Sequence, residues 1–179
     1  PEPENKLESV NEHQKLYYHQ IGTLQETDKL IYENPANPKM GFGGSVNEAG
    51  TTLFIYGWEG TDDKNTLHSL DLTNDSAEVV TLFGDKDASY SVIGDVVIKD
   101  ERSWLQRLFG ESKRPDEARY WIQTNKDAPK GRVVAVNPAK PDEANWIEII
   151  PQSDHVLRGV SMVGGHLVAT TLEDAKSVV

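Results

Sequence analysis

Apolar residues recur along the chain in short runs that are rich in β-branched and aromatic side chains and separated by polar turn residues. Runs of this kind predict β-strands. The clearest set lies between Met40 and Phe83 and contains four predicted strands: Gly43–Val46, Thr51–Tyr56, Leu67–Leu72 and Ala77–Phe83. Their order is strand, turn, strand, loop, strand, loop, strand. This segment therefore predicts a four-stranded antiparallel sheet.

The same order recurs on both sides of this segment. A second set of four predicted strands follows it: Ser89–Ile93, Arg119–Gln123, Arg132–Val136 and Asn145–Ile150. Two partial sets flank these, with predicted strands Lys15–Gln20, Lys29–Glu33, Val156–Val163 and His166–Thr170. Corresponding strands start near Leu16, Leu67 and Arg132, which are 51 and 65 residues apart. The chain therefore contains an internal repeat.

A repeat of about 40 to 50 residues that carries four antiparallel strands is typical of a β-propeller blade. The predicted fold class is all-β, a partial β-propeller of four-stranded antiparallel blades, about two of them whole and two partial. Residues 1–179 are expected to form part of a single propeller domain: partial blade 12–34, blade 40–84, blade 88–151 and partial blade 155–179. Because a propeller normally closes with four to eight blades, we expect the chain to be cut from a longer protein.

An insertion at 95–117 lengthens the blade 88–151. Within it, Ser103–Gly110 predicts a short helix near 100–112, because Ser103 suits an N-cap and Gly110 suits the position after the last turn. Its apolar residues share one face. Two interpretations remain open: the helix packs against the blade edge, or it contacts another domain or subunit.

Charge and cysteine content exclude several classes of function. The chain has 29 acidic and 18 basic residues, a formal net charge of −11. Affinity for nucleic acid or an anionic membrane needs basic side chains, so neither partner is expected. The absence of cysteine excludes disulfides, thiolate nucleophiles and cysteine-based metal sites. It leaves the compartment undetermined, cytoplasmic or periplasmic.

Motifs for catalysis or metal binding are absent from the sequence. Ser45 and Ser161 come nearest to the G-x-S-x-G pattern of a nucleophile elbow, but both lack its closing glycine and lie in predicted strands. Ser153, Asp154 and His155 are adjacent, so their side chains cannot converge on one centre. The five histidines lack the spacing of a metal pair. We therefore predict no catalytic residue, no metal and no cofactor in this chain.

Several segments together resemble the propeller domain of the prolyl oligopeptidase (prolyl endopeptidase) family. They occur in the family's order along nearly the whole chain outside the insertion: His13–His19 with Ile21–Thr23 and Asp28–Glu33, Glu59–Leu67 with Leu70–Leu72, Thr124–Val133, and Asp154–Leu157 with Val163–Gly165.

The resemblance implies a serine peptidase that cleaves short peptides after proline. Family members combine an α/β-hydrolase domain with a seven-bladed propeller, which caps the active site and admits peptides while excluding folded proteins. The family's Ser, Asp and His triad belongs to the hydrolase domain, and that domain is absent from this chain. The implied partners are the peptide substrate and the hydrolase domain of the full-length protein, and the chain alone is expected to be inactive.

The resemblance also identifies two candidate residues for the substrate cavity. The family's propeller contributes an arginine and a cysteine from the loop after the second strand of this blade. Aligned on Glu59 and Gly60, those positions hold Trp58 and Thr61 here. Both depart from the family pattern. Trp58 is left with two interpretations, an apolar or stacking surface for substrate or a loop tryptophan packed on the neighbouring blade.

Two other functions remain open on the sequence: a non-catalytic propeller that scaffolds protein interaction, and a sibling oligopeptidase with another specificity, such as cleavage after basic residues. Fold alone does not decide between them. Partial blades also leave strand edges and apolar faces uncovered, so self-association of the chain is expected.

Overall fold

The computed structural model describes residues 11–98, 117–173 and 176–178, and nearly all of its regular structure is β. Thirteen strands are present in this described part: β1 Lys15–Tyr18, β2 Lys29–Glu33, β3 Met40–Val46, β4 Thr52–Glu59, β5 Thr66–Asp71, β6 Val80–Phe83, β7 Tyr90–Ile98, β8 Glu117–Thr124, β9 Arg132–Val136, β10 Ile147–Ile150, β11 Val156–Val163, β12 His166–Glu173 and β13 Lys176–Val178. Two short 3-10 helices lie at Gln25–Thr27 and Glu143–Asn145. The helix predicted over Ser103–Gly110 lies outside the described residues.

The chain divides into two compact units, Pro1–Lys86 and Asp87–Val179. In the first unit, β1 and β2 form a two-stranded antiparallel sheet, and β3 to β6 form a four-stranded antiparallel sheet in chain order. The core of this unit consists of large side chains from the four-stranded sheet: Met40, Phe42, Phe54, Ile55, Leu67 and Leu82. Sheet-to-sheet packing buries apolar surface that either sheet alone would expose.

The second unit contains a four-stranded antiparallel sheet in the order β7, β8, β9, β10 and a three-stranded sheet in the order β11, β12, β13. The central strands β8 and β9 are the most deeply buried, because Ile122, Val133 and Ala135 have no exposed surface. Their β-branched residues suit a strand that is covered on both faces. Gln123 in β8 donates a hydrogen bond through Nε2 to the backbone oxygen of Leu157 in β11 at 3.2 Å, which links the two sheets.

The prediction of an all-β chain with four-stranded antiparallel sheets is confirmed. Several strand bounds were wrong. β1 ends at Tyr18 rather than Gln20, β3 begins at Met40, and β6 begins only at Val80. β12 continues to Glu173, and β13 was not predicted. In each case pairing with the neighbouring strand, rather than the local pattern, decides where a strand begins and ends.

Strand β7 continues into the segment 95–117 in which an insertion was predicted, and β8 begins at its last residue. β7 runs to Ile98 and β8 begins at Glu117, so the two strands stay paired as far as Ile98 and Glu117. A bulge between Val92 and Gly94 changes the register without ending β7. The run Val96–Ile98 is β-branched, which favours an extended strand over a loop.

Candidate functional site

Trp58, the first of the two candidate residues, lies inside strand β4 rather than in the loop that follows it. The prediction of a loop position was wrong because β3 extends back to Met40 and keeps β4 paired as far as Glu59. The indole is 38% exposed, so a large aromatic surface remains available at this end of the sheet. An exposed tryptophan offers both an apolar face and an N–H donor to a ligand.

Glycines on the neighbouring strand make room for this indole. Gly41 is the cross-strand partner of Trp58, and Gly43 lies two residues further on the same face of β3. A Cβ at Gly41 would lie 3.0 Å from Trp58 Nε1, and one at Gly43 would lie 3.3 Å from two ring carbons. The ring therefore packs directly on the backbone of β3, which holds it in one place.

The side-chain amide of Gln14 binds the backbone of β3 beside this indole. Gln14 Nε2 donates to the oxygen of Phe42, and the N–H of Phe42 donates to Gln14 Oε1, both at 3.2 Å. The amide thus pairs with β3 as an adjacent strand would, and satisfies backbone groups that would otherwise face outward. This contact fixes the strand on which Trp58 rests.

Thr61, the second candidate, is exposed and lies in the turn between β4 and β5. The N–H of Asp62 donates to the oxygen of Glu59 at 3.3 Å, and Gly60 has a φ of +59°, a conformation that suits glycine. Thr61 therefore follows Trp58 by one turn at the same end of the sheet. Both candidates are exposed and lie at one end of the four-stranded sheet.

Glu59 anchors the start of this turn. Its Oε2 accepts hydrogen bonds from Lys86 Nζ at 2.6 Å and from Asn37 Nδ2 at 3.1 Å. The bond from Lys86, followed by that from Asn37, lowers the pKa of the Glu59 carboxyl below its ordinary value. The carboxylate therefore stays ionised and holds the turn that carries Thr61.

A groove of about 600 Å³ lies at the other end of the four-stranded sheet, between it and the β1–β2 sheet. It is lined by Tyr17, Val46, Leu53 and Leu72 among others, and by neither Trp58 nor Thr61. Because β3 and β4 run antiparallel, Val46 and Leu53 pair at the end opposite to Gly41 and Trp58. The groove and the candidate residues are therefore separate features.

A buried polar cluster in the first unit was not found by sequence reasoning. His68 in β5 is only 4% exposed, and its Nε2 lies 3.2 Å from the Tyr32 hydroxyl and 3.1 Å from Thr66 Oγ1. Its Nδ1 lies 3.0 Å from Thr81 Oγ1. Burial lowers the pKa of this imidazole and raises that of the Tyr32 hydroxyl. The sequence placed His68 on a predicted strand, but nothing in it indicated the partners.

The serines that came nearest to a nucleophile motif lie in paired strands. Ser45 in β3 is opposite Phe54, and Ser161 in β11 is opposite Val168. Ser153 Oγ donates to the backbone oxygen of His155 at 3.1 Å and accepts from the N–H of the same residue. That triplet forms a local turn, so its side chains are not arranged for acyl transfer.

Within residues 11–98, 117–173 and 176–178, no group of three or more His, Asp or Glu side chains is placed to hold a metal ion. In the same part of the chain, no helix has the length and apolar character that crossing a bilayer requires.

Comparison with known proteins identifies the family. The model of the prolyl oligopeptidase N-terminal β-propeller domain matches residues 1–179, so the chain belongs to this family and its sheets are parts of a β-propeller. Prolyl oligopeptidase A of Amanita bisporigera is 29% identical over 76% of this chain. The prolyl endopeptidase of Elizabethkingia miricola is 25% identical over 99% of it.

Solved structures agree with this assignment. A structure from a study of two prolyl endopeptidases and their inter-domain dynamics superposes with a TM-score of 0.73 at 27% identity, and covers 95% of this chain. Prolyl oligopeptidase B of Galerina marginata, bound to a 25-residue macrocyclization substrate, gives a TM-score of 0.75 at 23% identity over 96% of the chain, which supports the fold.

The chain spans only part of each of these relatives. It covers 16% of the Amanita protein, 22% of the Elizabethkingia protein and 22% of each solved chain. Those relatives are therefore several times longer than the segment that carries Trp58 and Thr61.

Proposed function

We propose that this chain is the part of a prolyl oligopeptidase propeller that caps and gates the active site, and that the full-length protein cleaves short peptides after proline. The observation that carries the proposal is the family match over all 179 residues, together with relatives named prolyl endopeptidase. In this proposal, 12–34, 40–84, 88–151 and 155–179 are consecutive blades or partial blades of one propeller domain.

The chemistry is proposed to lie outside this chain. An α/β-hydrolase domain of the full-length protein would supply the serine nucleophile and its histidine base, which act by acylation. The propeller would contribute access, because a ring of blades over the active site passes a flexible peptide more readily than a folded domain. The net charge of −11 would favour neutral or basic peptides over acidic ones.

The test compares the 179-residue chain with the full-length gene product on a chromogenic Gly-Pro peptide. We expect hydrolysis by the full-length protein and none by the chain alone. Hydrolysis after basic residues instead of proline would indicate the sibling specificity. An intact full-length protein that cleaves neither substrate would overturn the proposal in favour of a scaffolding propeller, and activity of the chain alone would overturn the placement of the chemistry.

Within this function, Trp58 and Thr61 are proposed to border the peptide cavity. Support comes from their shared position at one end of the sheet, the 38% exposure of the indole and its support by Gly41 and Gly43. The indole would offer an apolar surface on which a proline or an aromatic side chain of the peptide stacks. Such contacts contribute about 0.5–1.5 kcal/mol beyond the burial of area.

In the full-length protein, Trp58→Ala should therefore raise KM for prolyl peptides by roughly twofold to tenfold and leave kcat nearly unchanged. Tyr18→Ala is the matched control, because Tyr18 is an exposed aromatic residue that lines the groove at the opposite end of the sheet. Equal kinetic effects of the two substitutions, or no effect of Trp58→Ala, would contradict the assignment of Trp58 to the cavity.

A further inference from the structure

The buried pair His68 and Tyr32 links the two sheets of the first unit. The imidazole belongs to β5 of the four-stranded sheet, and the Tyr32 hydroxyl that it contacts at 3.2 Å belongs to β2 of the two-stranded sheet. The two rings also pack against each other, with centroids 4.8 Å apart and planes inclined by 39°. Phe42 in β3 meets the same tyrosine edge-to-face at 5.1 Å. Tyr32 therefore contacts the four-stranded sheet in two ways, through the hydrogen bond of its hydroxyl with His68 and through the packing of its ring on His68 and Phe42.

The hydrogen bonds of His68 fit a neutral imidazole. A neutral ring has one N–H donor and one acceptor nitrogen, and hydroxyl groups surround both nitrogens here. Whichever nitrogen carries the proton, the other accepts a hydroxyl hydrogen. Protonation converts this acceptor into a donor, so the hydroxyl that donated to it loses its partner. A hydroxyl that is buried without a partner costs free energy.

No carboxylate offsets a positive charge on this ring. Among the described residues, none lies within hydrogen-bond distance of either nitrogen of His68, where the three contacts are hydroxyls. The packed strands carry few charged groups. Their carboxylates are bonded elsewhere: Glu33 of β2 to Lys15, Glu59 of β4 to Lys86, and Asp71 of β5 to the N–H and hydroxyl of Thr73. Lys29 of β2 is itself cationic, and neither β3 nor β6 contains a charged residue.

We propose that His68 makes the contact between the β1–β2 sheet and the β3–β6 sheet of the propeller sensitive to pH. The hydrogen bonds of His68 hold the two sheets together while the imidazole is neutral, and this contact weakens when the ring binds a proton. Burial lowers the pKa of His68, so the folded state resists protonation more than the unfolded chain does. The stabilisation is complete above the ordinary pKa of about 6.5 and is lost as the pH falls below it. Acidification would then loosen one blade from the next.

The test follows His68 by NMR in the 179-residue chain and measures amide hydrogen exchange at pH 7.5 and pH 5.0, corrected for the intrinsic rates. We expect His68 to titrate below an ordinary histidine. We also expect protection of Lys15–Tyr18 and Lys29–Glu33 to fall severalfold at pH 5.0. In His68→Gln, whose side chain does not titrate, this protection should be the same at both pH values.

His19→Gln is the matched control, because His19 is an exposed histidine that pairs with Asp28 in the same unit. It should keep the wild-type response to pH. A His68 that titrates at or above the ordinary range, or a His68→Gln variant with the wild-type response, would overturn the proposal. If His68→Gln fails to fold, the NMR titration still decides, and Tyr32→Phe removes one hydroxyl contact while keeping the ring.

Discussion

The indole of Trp58 packs on the backbone of Gly41, its cross-strand partner. A Cβ at Gly41 would lie 2.8 Å from Gln14 Oε1, so that side chain would have to shift, and 3.0 Å from Trp58 Nε1, a tight contact that the ring would relieve only by moving. The glycines of β3 leave room for the exposed Trp58 ring, and Gly41 also leaves room for the side-chain amide of Gln14. The candidate site therefore depends on a strand that has no side chain where the ring lies.

Gly41→Ala should destabilise the chain, because its methyl group displaces both Trp58 and Gln14. Overpacking of this kind costs about 1–3 kcal/mol, which urea denaturation of the variant and the wild type measures. Gly159→Ala is the control, since a Cβ at Gly159 meets no atom within 4 Å. It should change the free energy of unfolding by less than about 0.5 kcal/mol. Equal effects of the two substitutions would show that the glycine is not required by the ring.

Gln14→Ala should expose the outer edge of β3. The two hydrogen bonds with Phe42 would be lost, and a net contribution of about 0.5–1.5 kcal/mol for each predicts a total of about 1–3 kcal/mol. Exchange of the Phe42 amide with solvent should accelerate in the variant, and NMR detects this change at one residue. Gln25→Ala, in an exposed 3-10 helix, should leave that rate unchanged. An unchanged Phe42 rate in Gln14→Ala would contradict the capping role.

Twelve of the thirteen strands in the described residues, and their antiparallel order, could be predicted from the sequence, because alternation of apolar and polar residues is a local property. Contacts between distant segments could not. The pattern ended the second strand of the blade at Tyr56, whereas pairing of Gly41 with Trp58 continues it to Glu59. β13 was missed because Lys176–Val178 is short and exposed, and forms a strand only by pairing with Thr171–Glu173 of β12.

The same reasoning applies to the polar contacts. The sequence placed His68 on a strand, but its partners Tyr32 and Thr81 come from strands before and after it in the chain. The candidate residues Trp58 and Thr61 came from a resemblance between sequences. The glycine surface beneath the indole became visible only once the register of β3 and β4 was known.

Tyr90 should make the second unit sensitive to alkali. Its buried hydroxyl donates to Asp87 Oδ1 at 2.6 Å, and Lys126 Nζ lies 2.8 Å from Asp87 Oδ2. Burial, followed by the bond to Asp87, raises the pKa of Tyr90 far above its ordinary value. A raised pKa means that stability is complete below the ordinary value of about 10 and is lost as the pH rises beyond it.

The Tm of the wild type and of Tyr90→Phe between pH 8 and pH 11 checks this prediction. At pH 8 the wild type should be the more stable, because it retains the bond to Asp87. The difference in Tm should shrink above pH 10, because residue 90 ionises there only in the unfolded wild-type chain, and this ionisation stabilises the unfolded state. A difference in Tm that stays constant to pH 11 would refute the argument.

Asp87 limits the stability of the second unit at low pH. The hydrogen bond from Lys126 is the chief cause that lowers the pKa of the Asp87 carboxyl, so the stability contributed by the ionised carboxylate is lost as the pH falls below about 3.8.

Self-association of the isolated chain is the remaining prediction. In the described residues, β1 pairs with β2 alone and leaves one edge without a partner strand, and Tyr18 on it is 60% exposed. An unpaired strand edge can pair with a strand of another chain, and a lysine on the edge opposes this pairing.

Sedimentation velocity should show a weight-average sedimentation coefficient that rises with protein concentration, and Tyr18→Lys should shift this rise to severalfold higher concentration. Leu24→Lys, at an exposed loop residue outside the strands, is the control. A wild-type chain that stays monomeric at every concentration, or equal shifts in the two variants, would show that this edge does not drive association.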